Sequence, residues 1–147
     1  YVDGAIEERP MGEDDHASWQ EALLRWFHRH ADVWQVRARP ELRVQVSPTR
    51  FRVPDVTVLD RRQPKEQIVT RPPLAVFEIL SPEDQVRRML AKLGDYEAMG
   101  IWQIWVVDPD GPRFYRYQAG ALQPSAEFGT SGEPVHFALA EVARLLD

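Results

Sequence analysis

The stretch PPLAVFEILSPED, from Pro72 to Asp84, constrains the fold more than any other part of the chain. Leu74, Ala75, Val76, Phe77, Ile79 and Leu80 make an apolar run of strand length, the pattern of a strand covered on both faces. Such a strand belongs in the middle of a sheet with helices packed on it. It carries one carboxylate, Glu78, which is costly to bury alone and must be paired, protonated or bound to a cation. SPED then switches the period. Ser81 as a cap, Pro82 at the first helical position and Asp84 as the acid of a capping box predict a helix running to Met99 and stopping at Gly100.

The rest of the chain supplies the partners of that unit. GEDDHASWQEALLRWFHRHA predicts a first helix, with Asp15 as its cap and Trp19, Leu23, Trp26, Phe27 and His30 at helical spacing. ELRVQVS alternates like a half-buried strand, and VTVLD after Pro54-Asp55 predicts a second. RRQPKEQIVTRPP is a polar, proline-bearing connection. IWQIWVVDP and RFYRYQ predict a hairpin turning at DPDG, and ALAEVARLLD a short final helix. The order helix, strands, helix, strands predicts an α/β fold, and 147 residues suit a single domain over 1–147.

Composition excludes several functions. There are no cysteines, so disulfides, thiolate nucleophiles and Cys-ligated zinc are ruled out. No apolar run reaches the roughly 18 residues of a membrane helix, and no secretory signal is visible, so a cytoplasmic protein is expected. The net charge of -5 is unevenly spread. Residues 33–71 carry eight Arg and one Lys against four acids, enough for a basic face on an acidic protein if they share one.

A partner for Glu78 comes from the predicted helix after it. On a helical wheel Val86, Met89, Leu90, Leu93 and Tyr96 form a buried stripe, and Lys92 lies at its border. Its stem can follow the core edge while the ammonium reaches back toward the sheet. The chain has 16 Arg and only two Lys, so Lys at this position points to chemistry that Arg, always protonated, does not perform. A plain Glu–Lys ion pair is the alternative. Asp55 reads by itself as a turn residue. Together with Glu78 it would make a pair of oxygen donors on successive strands, the setting that Mg²⁺ prefers, with Lys92 beside it. That arrangement suits metal-dependent hydrolysis of a phosphodiester.

These residues carry a resemblance. DGAIEE, His16 in the first helix, VPDVTVL, PPLAVFEILSPED, Lys92 and Tyr96 in AKLGDYEAMGI, and WQIWVVDP occur in order along nearly the whole chain. The sequence resembles the Uma-two family of endonucleases, a branch of the PD-(D/E)XK, restriction-endonuclease-like superfamily. The resemblance implies a restriction-endonuclease-like core, a mixed central β-sheet flanked by helices, with Mg²⁺ or Mn²⁺ as cofactor and DNA as substrate. Asp55 matches the acid of the PD element and Glu78 the acid of (D/E)XK. The lysine of a standard motif would fall at Leu80; in this family it comes from the following helix, where Lys92 matches. The resemblance also implies that the carbonyl of Ile79 faces the metal.

His16 reads either as a site residue or as a helix-start histidine with a structural hydrogen bond. Gln85 and Tyr96 flank Lys92 on the wheel as supporting residues, and core packing also accounts for Tyr96. His28, His30 and His136 show no ligand spacing, no serine has a nucleophile-elbow context, and no glycine-rich phosphate loop is present. A homodimer is expected if both strands of a duplex are cut. Two other readings stay open: a catalytically inactive binding or assembly module on the same fold, and a hydrolase of small phosphoesters.

Overall fold

The computed structural model describes residues 10–82 and 84–147, with side chains from residue 13 onward. The DGAIEE motif and Glu83 lie outside the described residues. The chain starts with helices α1 (Pro10–Arg29) and α2 (Ala31–Trp34) and strands β1 (Val36–Pro40), β2 (Val44–Ser47), β3 (Arg50–Arg52), β4 (Val56–Asp60) and β5 (Ala75–Ile79). Helix α3 (Val86–Met99) follows, then β6 (Gln103–Asp108), β7 (Arg113–Gln118), β8 (Ala121–Pro124), β9 (Glu127–Phe128), β10 (Phe137–Ala138) and helix α4 (Leu139–Ala143).

Six strands form a mixed sheet in the order β1-β4-β5-β6-β7-β8. Only β5 and β6 run parallel, because α3 is the crossover between them. Every residue of β5 is buried, as its apolar run requires. Side chains alternate across it. Ala75, Phe77 and Ile79 enter the larger core with α1, α4 and the β9–β10 ribbon, through residues such as Leu23, Phe27, Phe128, Leu139 and Val142. Val76 enters the smaller core under α3, with Met89, Leu93, Tyr96, Ile104 and Val106. Glu78, two residues after Val76, therefore points to the α3 side. Gly100 ends α3 in the left-handed conformation (φ 102°), where a side chain would be strained.

Several sequence expectations are corrected. SPED does not begin α3. The helix starts at Val86 with Gln85 as its cap residue, while Ser81 and Asp84 close a turn: the Ser81 N–H donates to Asp84 Oδ2 (2.8 Å) and the Asp84 N–H to the Ser81 carbonyl (3.1 Å). Asp84 satisfies the turn, so its acid no longer reaches a helix end. Asp15 lies inside α1 and not at its cap, and His16 is likewise one full turn or more into the helix. Val86 (74% exposed) and Leu90 (39%) leave the expected buried stripe, since the buried residues of α3 are Met89, Leu93 and Tyr96, with Met99 half-buried beside them. Only Val44–Ser47 of ELRVQVS is strand, and it pairs with β3 in a separate hairpin packed against α3. Strand β1 (VRARP) is an addition to the expected strands: Val36 and Ala38 are buried and alternate with the half-buried Arg37 and Arg39, a pattern too short and too arginine-rich to stand out in the sequence.

The basic segment does not make one face. Arg61 and Arg62 follow the end of β4 opposite to Asp55, roughly 17 Å away by strand rise. They pair locally, Arg61 with Asp32 and Arg62 with Asp60. Arg50 and Arg52 instead reach α3 at Asp95.

Leu93 is the fully buried anchor of α3. Leu93→Ala should cost about 2–5 kcal/mol by urea denaturation, the usual range for an emptied core site.

Candidate active site

The antiparallel register of β4 and β5 pairs Val56 with Phe77. Continued one step past its last pair, that register would set Asp55, in the bend before β4, opposite Glu78, and the charge of Asp55 does act on the Glu78 carboxyl. Directly opposed side chains on one sheet face have Cβ atoms about 4.5–5.5 Å apart. The Ile79 N–H donates to Asp55 Oδ2 (2.7 Å), joining the two strands where the regular ladder stops. The tight Pro54-Asp55 entry into β4 and the C-terminal end of β5 thus set both acids at one edge of the smaller core.

Each carboxylate oxygen has a donor. Lys92 Nζ lies 3.2 Å from Glu78 Oε1, and the Tyr96 hydroxyl donates to Glu78 Oε2 at 2.7 Å. Residues 92 and 96 are one helical turn apart on α3, so a single helix face delivers both. On the other side of the site His16 Nε2 lies 3.2 Å from Asp55 Oδ1. Gln20, one turn further along α1, donates to the backbone carbonyl of Asp55 at 2.8 Å. Leu80, two residues after Glu78, packs at the rim of the smaller core. A lysine there would share the face of Glu78 by strand alternation; here that place is apolar and the ammonium comes from α3.

The electrostatics single out Glu78. It is 2% exposed, whereas Asp55 and Lys92 keep some access to solvent (side chains 17% and 28%). Burial, and next the charge of Asp55, push its carboxyl up from 4.5 to about 7, against the opposing effects of Lys92 and Tyr96. Tyr96 is pushed far up, first by burial and then by Glu78, so it remains a donor at all ordinary pH. The hydrogen bond to Asp55 raises His16 above 6.5, and burial opposes it.

Of the sequence candidates, Asp55, Glu78, Ile79, Lys92, Tyr96 and His16 are brought together. Gln85 is exposed and makes no side-chain cap bond; it lines a cleft with Lys92 and does not touch the acids. Gln20 and Arg52 were missed. Gln20 is an ordinary polar helix residue in sequence, and only its i+4 relation to His16 would have pointed to it. Arg52 was one of eight arginines in its segment, indistinguishable until the β2–β3 hairpin folds over α3.

Among the described residues no three His, Cys, Asp or Glu side chains converge as a ligand group. Two neighbouring hard carboxylates, one with its proton affinity raised by burial and then by the charge of the other, nevertheless suit an ion that takes one or two protein carboxylates and fills its shell with water.

The family model described as "Uma2: Putative restriction endonuclease" matches residues 1–140. The chain belongs to the Uma2 family. A solved structure with the same fold is the crystal structure, at 1.96 Å, of a "putative nuclease belonging to DUF820" from Anabaena variabilis ATCC 29413. It aligns with a TM-score of 0.73 at 21% identity over 99% of this chain and 89% of that one. No curated protein matches the chain. The expected mixed sheet flanked by helices is therefore present and shared with that structure. No helix among the described residues is long and apolar enough to cross a membrane.

Proposed function

We propose that this Uma2 protein is a divalent-metal-dependent endonuclease that hydrolyses DNA phosphodiester bonds. The observation that carries the reading is the neighbouring Asp55–Glu78 pair, with Glu78 raised to about 7 and a lysine laid against it from the next helix. Asp55, Glu78 and the carbonyl of Ile79 would hold Mg²⁺ or Mn²⁺. Such an ion supplies a water of lowered pKa and neutralises charge on the phosphate.

The chain's own groups do the rest. Lys92, with its ammonium at the rim of the site, orients the attacking water or donates to a non-bridging phosphate oxygen. Tyr96 fixes the second oxygen of Glu78, so that the carboxylate presents a defined edge. His16 and Gln20 hold Asp55 by side chain and backbone, which keeps its carboxylate from turning into solvent. The buried floor under Glu78 lowers the local dielectric and strengthens each of these interactions.

The test joins ion binding to cleavage. Mg²⁺ or Mn²⁺ at about 100 times its Kd should stabilise the wild type by about 2.7 kcal/mol, a rise of roughly 5–10 °C in melting temperature. Asp55→Asn should lose that shift and also the cleavage of plasmid and oligonucleotide DNA. A wild type inert on plasmid, linear and single-stranded DNA with either ion, or an Asp55→Asn variant cleaving equally well, would overturn the proposal.

A further inference from the structure

Beside the candidate site a cleft of about 280 Å³ opens between α3 and the β2–β3 hairpin. Gln85, Arg88 and Lys92 line one wall, at spacings of three and four residues that form a single helical stripe. Arg52 lines the other wall, Met89 the floor, and Asp84 the end near the sheet. The cleft is continuous with the site through Lys92, whose ammonium lies on Glu78.

The charges around this cleft are unequal. Arg52 Nε and Nη2 hold Asp95 Oδ2 at 2.9 and 2.8 Å, and Arg50 Nη1 approaches the same oxygen at 3.3 Å. Two guanidiniums thus share one carboxylate, which leaves one positive charge in excess and fixes the Arg52 wall to α3. Asp84 is turned to the Ser81 N–H. Lys92 is matched by Glu78. Among the described residues Arg88 makes no ion pair and no side-chain hydrogen bond, although it lines the same cleft. A guanidinium without a carboxylate offers its whole fork to an anion, and that fork fits a phosphate in two-pronged fashion. From Lys92 to Arg88 is one turn of α3, about 6 Å along the axis.

We propose that this cleft binds a phosphodiester of the nucleic-acid backbone next to the one cleaved, with Arg88 as its principal contact, Arg52 as its fixed cationic wall and Gln85 as a neutral donor. The inference deepens the nuclease reading and rests on it for the identity of the neighbouring site. It gives the backbone a direction, entering over the hairpin, passing along α3 and reaching Asp55 and Glu78 at the Lys92 end.

The experiment measures binding of a duplex of about 20 base pairs against salt, in Ca²⁺, for wild type, Arg88→Ala and Arg144→Ala. Arg144 ends α4, on the opposite side of the sheet from α3, and serves as the charge control. Arg88→Ala should bind about tenfold more weakly near 0.1 M salt. Its log–log salt slope should fall by about one, the signature of a single lost phosphate contact. In cleavage assays KM should rise while kcat stays within a few-fold, and Arg88→Lys should recover much of the slope. Arg144→Ala should behave as wild type. If Arg88→Ala binds with unchanged affinity and slope, or Arg144→Ala loses as much, the cleft assignment is overturned while Asp55-dependent cleavage would keep the nuclease reading intact. If binding depends on Arg88 but no substrate is cut, the nuclease reading falls and the cleft stands. A wild type that binds no nucleic acid removes both.

Discussion

Replacing Glu78 by Gln is expected to abolish DNA cleavage and to make the metal-free protein more stable. Gln keeps the shape and still accepts a hydrogen bond from Tyr96 or Lys92, but it cannot ionise. In the wild type, burial and the Asp55 charge raise the Glu78 carboxyl from 4.5 to about 7. A folded value above the unfolded one means that the native state favours the protonated form. The stability associated with that proton is complete below about pH 4.5 and is lost as pH rises through about 7. Above that, the native wild type holds a buried carboxylate. Chemical denaturation in EDTA at pH 8.5 should therefore show Glu78→Gln ahead of wild type by up to the order of 3 kcal/mol. The gap should close near pH 4.5, and Mg²⁺ should narrow it at high pH by stabilising only the wild type. A cleavage loss of at least about 10³-fold is expected, the scale of a removed transition-state charge stabiliser. A Glu–Lys pair that serves structure alone predicts the reverse, a loss of about 3 kcal/mol from stranding the lysine. That outcome would sink the metal-site reading.

The second large effect is expected at Lys92→Met. Methionine fills the place of the lysine stem and the side chain is partly exposed, so folding should be little changed. Cleavage should fall by about 10²–10⁴-fold, the range for a lost proton-handling or charge-stabilising group. The variant carries a second signature. Lys92 lowers the Glu78 carboxyl, so its removal lets that group rise further, and the acid limb of residual activity should move to higher pH. A pH–rate profile of both proteins reads this directly. Lys92→Arg should not restore activity, because a planar fork replaces a compact ammonium that already lies 3.2 Å from Glu78. Activity within twofold of wild type at every pH would remove Lys92 from the chemistry.

How much of this was legible beforehand depends on the range of the interactions. β5 and the stop of α3 at Gly100 follow from local pattern and were read correctly. The start of α3 was not. Ser81, Pro82 and Asp84 satisfy a turn as well as a cap, and the competition is decided by where the chain must go next. Val86 and Leu90 were placed in the buried stripe because a wheel ranks residues by type, whereas packing admits only those that meet the sheet. The basic segment illustrates the same limit, since β4 separates Arg52 from Arg61 and Arg62 by the length of a strand. The Lys92–Glu78 contact was inferred from the sequence because strand, turn and helix are consecutive. Gln20 and Arg52 could not be, as their partners lie 35 and 43 residues away.

By itself the sequence determined a buried central strand with one carboxylate, a helix after it that carries a lysine, and a second acid before the preceding strand. Those are properties of neighbouring residues, governed by periodicity and by the cost of burying charge. The tertiary structure decided that Asp55 neighbours Glu78, since that needs the β4–β5 register. It also decided that α1 holds Asp55 from the far side and that a hairpin closes a cationic cleft beside Lys92. These depend on which surfaces pack together, and chain-distant contacts of that kind have no local signature.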